Sequence, residues 1–507
     1  MTTTKDSITE CTCNVCQSVR LRIDQIFCVL DIYGWMLDFY VVVCLQNEDF
    51  YREKLWDKLP KSWKLALQDI PPDEFGLWLS RECSCTRILP LSLLALRKVI
   101  DNLQLNRNDE NLSNFLQCEK SMIIKTKCKD VTSLYLLDNK QQLEDLDSAS
   151  SQFIKLFRKH VKKKKRHEIE QMAQMCVYYA QKSECKSIVD VGAGLGHLAR
   201  ILTYQYGLHV ACIEQDELLS KKARLYDEEL LMSMRKHEPN FSPLKLEHIS
   251  VKLETSNHAK VKVTQHLHKI FTNIYNVNTE CLKYGIIGLH PCGDLASILL
   301  NLYSLTKEAR FMCIVGCCYM KMTLESNNEN KQKGYPLSSY LSFKNHKLSY
   351  NALEVACHAI EKHCDKLKNN NYADLIVHAY RAVLENILTE RNLLPSHSQL
   401  KNVKVTRDMT FKQYCFLATR HLQSELQPKD TDLEGTEVEH YLSYWLQIVI
   451  FSSLRILLAP LVETLVLLDR FLYLSERNLN PIIRPVFNAK LSPRNLVLIS
   501  VKNREEI

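Results

Sequence analysis

Glycine and proline are scarce in this chain, which holds only 12 glycines and 14 prolines among 507 residues. Apolar residues make up 46% of the sequence. This balance excludes a disordered, low-complexity chain and predicts a helix-rich globular protein. The chain is too long for one ordinary domain, so we expect two or three structural units.

The sequence also lacks a large excess of charge of either sign. Lysine and arginine number 66 against 58 aspartates and glutamates, which gives a formal charge of +8. This balance permits a nucleic-acid partner without requiring one, so only local clustering can argue for it. The first residues contain no apolar run of the kind found in secretion signals, and we expect a cytoplasmic and/or nuclear protein.

Cysteine, by contrast, is abundant, with 20 residues scattered through the chain. Many lie in apolar runs, as expected for reduced, buried thiols in an intracellular protein. Near the N-terminus, Cys11, Cys13 and Cys16 form a C-x-C-x2-C pattern, and Cys83 and Cys85 come much later. The pattern supplies three of the four ligands that a zinc site needs. We therefore predict a mobile, thiol-bearing terminus and assign no metal site.

Residues 187–198 have the pattern of a nucleotide-binding turn. An apolar strand leads to glycines at 192, 194 and 196, and an amphipathic helix follows. Glycine permits a tight turn and lets a ligand approach the backbone. The helix N-terminus offers free N–H groups to a carboxylate or phosphate. Dinucleotide-binding folds share such a turn, so the turn alone does not identify the ligand.

Two acidic residues make the cofactor more specific. Asp190 precedes the first glycine, and Glu214 ends a second apolar run, where a carboxylate can accept hydrogen bonds from ribose hydroxyls. The pattern D-V-G-x-G-x-G followed by this glutamate resembles the S-adenosylmethionine (SAM) site of class I methyltransferases, with a dinucleotide as the alternative. The resemblance implies the cofactor-binding residues Asp190, Gly192, Gly194, Gly196, His197, Glu214 and Gln215.

Helical and strand periodicity divide the chain into four segments. Residues 1–150 are predicted to form an N-terminal helical domain and connector, and residues 151–324 the first part of the SAM-binding core. A helical insertion is predicted over 325–444, and residues 445–507 return to the core as a helix and a final strand pair. The expected fold is α/β, with the Rossmann-like sheet of class I methyltransferases and an antiparallel last strand.

The apolar run Ile448 to Leu468 has the length of a membrane helix. Arg455, Pro460 and Glu463 interrupt it, and charges inside a membrane are costly. We therefore expect a buried helix that packs on the sheet, and no membrane span.

Five consecutive cations, Lys162 to Arg166, stand ahead of the glycine turn. They could bind phosphates through counterion release, act as a nuclear-localisation patch, or form an ordinary solvated helix face. Lys165, Arg166 and His167 are candidate substrate-binding residues.

Two later apolar strands also end in polar residues, where doubly wound sheets hold their ligands. His290 and Asp294 follow the first of them and are the candidate catalytic base and its orienting group, with capping roles as the alternative. Cys317 and Cys318 follow the second.

Cys292 together with Cys317 or Cys318 would permit the covalent mechanism of cytosine-C5 enzymes, in which one thiolate attacks the ring and a second cysteine assists release. Ordinary core thiols are the alternative. Tyr319 and Tyr335 are candidates for stacking on a base. The candidate substrate-binding residues are therefore Lys165, Arg166, His167, Cys292, Cys317, Cys318, Tyr319 and Tyr335.

Motifs in a fixed order resemble the methyltransferase-like 25 family, which includes proteins named for a ribosomal RNA adenine dimethylase-like domain. The motifs are L-W-D-K-L-P-K-S-W at 55–63, K-R-H-E at 165–168, the glycine turn, G-L-H-P-C-G-D at 288–294, G-C-C-Y at 316–319, G-Y-P-L-S at 334–338, L-R-I-L-L-A-P-L-V-E-T at 454–464 and L-S-P-R-N at 491–495. The L-H-x-C-G-D and C-C elements are also similar to a transfer-RNA ribose methyltransferase family.

The resemblance implies a SAM-dependent methyltransferase, and with the basic run it favours ribosomal or transfer RNA as substrate. Amino-directed enzymes usually carry an Asn/Asp-Pro-Pro-aromatic element where this chain has H-P-C-G-D, so adenine N6 is not the expected target. A protein or small-molecule methyltransferase, or a non-catalytic SAM-binding scaffold, are the alternatives.

Overall fold

The computed structural model describes residues 11–39, 49–82, 87–107, 115–119, 156–237, 244–254, 257–275, 277, 282–324, 333–369, 372–391, 393, 400–406 and 408–502. Cys83 and Cys85 lie outside these residues. The chain divides into two compact units. Unit 1 comprises Met1–Ile23, Asn106–His346 and Leu465–Ile507, and unit 2 comprises Asp24–Leu105 and Lys347–Thr464.

Unit 1 is built on a mixed β-sheet whose strands run in the order β1-β7-β8-β6-β5-β2-β3-β4. Strands β2 to β6 are parallel to their neighbours in this series, whereas β8 runs antiparallel to both β6 and β7. The predicted α/β sheet with an antiparallel last strand is confirmed. The strand bounds are β1 Leu116–Gln117, β2 Ser187–Val191, β3 His209–Glu214, β4 Glu247–Ser250, β5 Tyr284–Leu289, β6 Ala309–Val315, β7 Pro481–Pro485 and β8 Leu496–Val501.

Every residue of β2 and β5 is buried, with no alternation between buried and exposed positions, as expected for parallel strands covered on both faces of the sheet. The helix Lys163–Lys182 buries Met172, Cys176 and Tyr179 against the core around Ile188 and Phe311. The helical segments of unit 1 are Lys163–Lys182, His197–Arg200 continuing into a π-helical turn Ile201–Gln205, Glu217–His237, Asn257–Tyr275, Leu295–Leu305, the 3-10 turn Tyr319–Lys321 and Ser339–Ser342.

Unit 2 is helical in its described residues. Its N-terminal helices and those after residue 347 share one unit, a grouping that differs from the separate N-terminal domain and insertion predicted above. The reason is close packing: a Cβ on Gly76 would lie 2.7 Å from Leu367 Cβ, so the two helices approach as only glycine allows. The helices are Asp49–Arg52, Leu55–Lys58, Lys61–Leu67, Pro72–Ser80, Leu91–Leu103, Tyr350–Val355, Ile360–Lys368, Ala373–Glu390, Phe411–Thr419 and Thr436–Ser443, with 3-10 turns at Gly34–Leu37, Ser424–Leu426 and Asp430–Asp432.

Two long helices contribute residues to both units. Asn14–Tyr33 belongs to unit 1 through residue 23, and Trp445–Ser475 joins unit 1 from residue 465. Trp445–Ser475 is long and apolar enough to cross a membrane by length and composition alone, and its most apolar window is entirely buried within the protein. Its charged side chains are buried too, and the Arg455 Nε–H donates to the Met36 carbonyl at 2.7 Å. This burial matches the packed helix that the interrupting charges predict.

Parallel strands bring their carboxyl ends to one edge of the sheet. The ends of β2, β3, β5 and β6 therefore lie side by side, each followed by residues singled out in the sequence. The chain leaves β2 toward β3 on one side and returns to β5 on the other, so β2 and β5 flank the point at which the strand order reverses. Ligands of open α/β sheets bind in the crevice at this point.

Candidate active site

The turn after β2 forms an open cradle. Gly192, Gly194 and Gly196 all have left-handed backbone conformations, with φ of 72°, 57° and 71°. A Cβ on Gly196 would lie 2.8 Å from the His248 ring, whereas a Cβ on Gly194 would meet nothing within 4 Å. Gly196 is therefore needed for packing below the turn. The backbone at Gly194 borders open space.

Glu214, at the end of β3, holds this turn in place. The Gly194 N–H donates to Glu214 Oε2 at 2.9 Å, and the Asp216 N–H donates to Oε1 at 3.1 Å. A carboxylate can accept about four hydrogen bonds. Glu214 thus shapes the cradle and keeps the acceptor capacity that binding to ribose hydroxyls needs, a role that stays a prediction. The neighbouring Gln215 is exposed.

A buried ionic network supports the turn from below. The Arg200 Nε–H donates to Asp227 Oδ1 at 2.5 Å, and His248 Nε2 lies 2.6 Å from Asp227 Oδ2. Arg200 also donates from Nη2 to the carbonyls of Leu195 and Ala223. Three elements distant in sequence are joined here, and no motif in the sequence indicated the network.

Asp190 is the buried acid of the site. Its side chain is almost fully enclosed at the end of β2, with 2% of the residue exposed. Burial raises the pKa of Asp190 to about 7, although the nearby Lys165 ammonium opposes the shift. Burial likewise lowers the pKa of Lys165, against the attraction of Glu168 and Asp190. The Lys165 Nζ lies 3.7 Å from Glu168 Oε2, and its assignment to the site stays a prediction.

Glu168 organises the other side of the site, although it is absent from the predicted set. Its carboxylate is 1% exposed, lies 3.1 Å from His290 Nε2 through Oε2, and accepts the Ser492 hydroxyl at 2.6 Å through Oε1. Burial alone raises its pKa, but the hydrogen bond and charge of His290, with smaller contributions from Ser492 and Lys165, lower the pKa to about 2. Its place directly after the basic run was the available signal.

This contact sets the tautomer of His290. An ionised carboxylate only accepts, so His290 Nε2 carries the proton, and in the neutral ring Nδ1 keeps its lone pair. His290 Nδ1 is buried and has no hydrogen-bond partner within the described part of the chain. The residue also adopts a left-handed backbone with φ of 73°, which is costly outside glycine and typical of functional sites.

Asp294 differs from its predicted role as the orienting group. Its Oδ1 accepts the Thr323 N–H at 2.7 Å, and its Oδ2 accepts the Thr323 hydroxyl at 2.6 Å. Both oxygens therefore anchor the loop after β6. The carboxylate that contacts His290 is Glu168, which a helix from an earlier part of the chain delivers to the same sheet edge.

Cys292, Cys317 and Cys318 do come together. The Cys292 sulfur lies 3.2 Å from each of the other two, and the Cys317 and Cys318 sulfurs are 3.5 Å apart. Thiol donors from Cys292 and Cys317, helped by Lys321 and His290, lower the pKa of Cys318. The adjoining ends of β5 and β6 explain this meeting, so the topology anticipated from the sequence is correct here.

Three further predicted residues face other groups. His167 Nε2 accepts the Asn488 N–H at 3.0 Å, and the Arg166 guanidinium donates to the carbonyls of Val161 and Arg158. His197 lies 3.1 Å from an Arg200 nitrogen, and its pKa falls to about 4 through burial and nearby cations. Arg166 and His197 both line a cavity of about 210 Å³ between the helix Lys163–Lys182 and residues 201–206.

Tyr319 and Tyr335 are buried, and this corrects their assignment as stacking partners for a base. Each is 2% exposed. The guanidinium groups of Arg470 and Arg494 lie over the Tyr319 ring, 5.7 and 5.9 Å from its centroid. Burial also raises the Tyr335 pKa well above its usual value. A ring enclosed in this way offers no free face to a base. The prediction was wrong because the sequence shows that a residue is aromatic but not how its ring packs.

Comparison with known proteins agrees with this geometry. Residues 164–325, which contain β2 to β6, match a family model described as a methyltransferase domain. Over 236 residues the chain is 28% identical to "Probable methyltransferase-like protein 25" of Mus musculus, covering 44% of this chain and 38% of the relative. The Homo sapiens protein of the same name is 27% identical over 234 residues, covering 45% and 38%.

The sheet and the matched segment define an α/β methyltransferase domain of the class I type. Around this domain the chain is similar to the proteins of mouse and human named probable methyltransferase-like protein 25. The matching segment spans about two-fifths of the length of these curated relatives, 38% in each case.

The buried Asp190 predicts a specific dependence of stability on pH. Its folded pKa of about 7 lies above its ordinary value near 4, so the folded protein keeps a proton that the unfolded chain releases. Protonated Asp190 therefore favours the folded state at low pH, and this contribution is lost as pH rises through 7. Relative to Asp190→Asn, the wild-type free energy of unfolding should fall by roughly 2–4 kcal/mol between pH 4 and pH 8.

Circular dichroism during denaturant unfolding, with hydrogen exchange of β2 peptides, measures this difference. Tryptophan fluorescence does not report on this site, because all five tryptophans lie in unit 2. Glu228→Gln, which removes an exposed carboxylate from the helix Glu217–His237, is the matched control and should track the wild type. If the difference in free energy of unfolding between the wild type and Asp190→Asn stays constant from pH 4 to pH 8, the prediction is contradicted.

Proposed function

We propose that this protein is a SAM-dependent methyltransferase that acts on RNA. The observation that carries the proposal is the cradle after β2: a left-handed glycine turn tied by Gly194 to Glu214 and lying beside the buried Asp190. It occupies the sheet edge at which the strand order reverses, where folds of this class hold their ligands.

The residues present fit SAM. Glu214 retains acceptor capacity for the two ribose hydroxyls, and the open space above Gly194 allows close approach to the backbone. A positively charged group of the ligand placed beside Asp190 would stabilise the ionised form of this carboxylate, which burial disfavours. Asp190 and the glycine turn would hold the methionine part, and Lys165 supplies a positive charge for its carboxylate. When bound, SAM supplies an electrophilic methyl group on a sulfonium.

His290 is the proposed base. Its unpartnered Nδ1 can take the proton that a hydroxyl or amine nucleophile loses, while Glu168 holds the ring and stabilises its charged form. The His290 side chain is 20% exposed, but Nδ1 itself is buried, so substrate binding must open a path to this atom. Direct displacement with this dyad requires no covalent enzyme intermediate.

Exposed cations at the start of the helix that carries Glu168 support RNA as the substrate. Lys162, Lys163 and Lys164 are exposed at the start of the helix Lys163–Lys182, whose first turn has no acidic residue and no side-chain cap. Cations at a helix N-terminus are unfavourable, whereas an anion there is favoured. A phosphate backbone would satisfy both the free amides and the lysines.

Binding of SAM by the full chain, measured by isothermal titration, tests the cradle. Gly194→Val should lower the affinity by roughly tenfold or more, because the side chain fills the ligand space. Gly207→Val is the matched control: Gly207 has a similar φ of +66° and open space, but it lies outside the cradle. Equal affinity in all three proteins, or none in the wild type, would remove the proposal.

Transfer of tritium from labelled SAM into total RNA, protein and small-molecule fractions tests the chemistry. Glu168→Gln keeps the shape of the side chain but removes its charge, so transfer should fall by roughly a hundredfold with SAM affinity unchanged. Label in protein or small molecules instead of RNA would identify one of the other substrate classes. SAM binding without transfer into any fraction would identify a scaffold.

A variant with Cys317→Ser and Cys318→Ser serves as the mechanistic control for Glu168→Gln. Direct displacement predicts that its transfer rate stays within a few-fold of the wild type. If transfer disappears in this variant but persists in Glu168→Gln, the covalent mechanism through these thiols replaces the dyad.

The lysine run predicts a salt-dependent RNA affinity. Lys162→Ala with Lys163→Ala should weaken RNA binding and reduce the slope of log K against log salt by about one to two, because two phosphate contacts are lost. Lys401→Ala with Lys404→Ala removes the same charge from exposed positions in unit 2. Fluorescence anisotropy over a salt series measures both; identical slopes for the two double variants would refute RNA contact at the run.

A further inference from the structure

Four cysteines of unit 1 form a compact sulfur cluster far from the glycine cradle in sequence. Cys11, Cys13 and Cys16 come from the start of the chain, and Cys118 follows β1. The Cys118 sulfur lies 3.7 Å from each of the other three sulfurs. The fourth ligand that the C-x-C-x2-C pattern lacks is therefore present, supplied by a residue more than a hundred positions away.

The spacing of the sulfurs matches one tetrahedral ion. Bonds of about 2.3 Å from zinc to sulfur place the four ligands about 3.8 Å apart. All four sulfurs here lie within 4.8 Å of one another, which suits a single ion shared by all of them. A disulfide needs sulfurs about 2 Å apart, so the 3.7 Å separations describe four unbonded thiols.

The surroundings are those of a closed structural site. Cys11 and Cys16 are fully buried and Cys118 is 1% exposed, so these thiols are not on a mobile terminus as predicted above. The Cys16 N–H donates to the Cys13 sulfur at 3.4 Å, and the Ser475 hydroxyl lies 3.0 Å from the Cys16 sulfur. Hydrogen bonds to sulfur stabilise thiolates, which are the form that binds metal.

The cluster also joins two segments of the chain that are distant in sequence. Cys118 is held to the sheet by β1, which pairs with β7, and its N–H donates to the Pro481 carbonyl at 3.2 Å. Cys11 and Cys13 directly precede the helix Asn14–Tyr33, and Cys16 lies in its first turn. Since β1 has only two residues, an ion shared by both segments would supply the stabilisation that so short a strand cannot.

We infer that Cys11, Cys13, Cys16 and Cys118 bind one zinc ion, which fastens the N-terminal segment to the edge of the sheet. Thiolates select soft ions, and four of them in a tetrahedron favour zinc or a single iron over magnesium or calcium. With four protein ligands no coordination position stays open, so the ion has a structural role and not a catalytic one. This inference does not depend on the proposed methyltransferase activity.

Elemental analysis of the full chain, purified without chelator under reducing conditions, tests the site. The wild type should contain one zinc per chain, and Cys118→Ser should reduce this to background. Cys28→Ser removes an exposed thiol from the same helix and should keep the ion. Cys317→Ser should also keep it, which distinguishes this site from the other thiol cluster.

X-ray absorption at the zinc edge of the wild type decides the matter even if Cys118→Ser does not fold. Four sulfur ligands at about 2.3 Å support the inference. Nitrogen or oxygen ligands, a wild type free of metal, or a folded Cys118→Ser that retains its ion would overturn it. Iron in place of zinc, with the same four sulfurs, would correct the identity of the ion and keep the site.

Discussion

The hydrogen bond between the Gly194 amide and the Glu214 carboxylate is the constraint on which the candidate site depends. It draws the turn after β2 toward the end of β3 and leaves the backbone open above Gly194. Arg200 completes the arrangement from beneath by holding the Leu195 carbonyl. Because the left-handed conformation is costly for other residues, the turn needs glycine as well as these bonds.

The two halves of this sheet edge carry different chemical groups. The ends of β2 and β3 form a polar cradle, whereas the ends of β5 and β6 present an imidazole and three thiols. The helix Lys163–Lys182 connects them, because Lys165 is coupled electrostatically to Asp190 while Glu168 contacts His290. Two residues three positions apart on one helical turn thus serve both halves. The contacts of Glu168 with His290 and Ser492 explain why this carboxylate is tolerated in a nearly closed position.

The differences between prediction and structure share a physical cause. Asp294 follows β5 closely enough to suggest a partner for His290, but the loop after β6 captures both of its oxygens. Tyr319 and Tyr335 have the chemistry to stack on a base, but their burial removes that surface. Residue type and spacing describe what a side chain can do, and neighbours from elsewhere in the chain decide what it does.

The sequence by itself determined the α/β class, the antiparallel last strand, the glycine turn and the acids Asp190 and Glu214, because these follow from local periodicity, short-range spacing and motif resemblance. Only the tertiary structure decided that Glu168 partners His290, that Arg200 and Asp227 support the turn, and that Cys118 completes a set of four thiols. Each of these contacts joins residues brought together by packing of the whole chain, and no local pattern encodes a distance between segments so far apart.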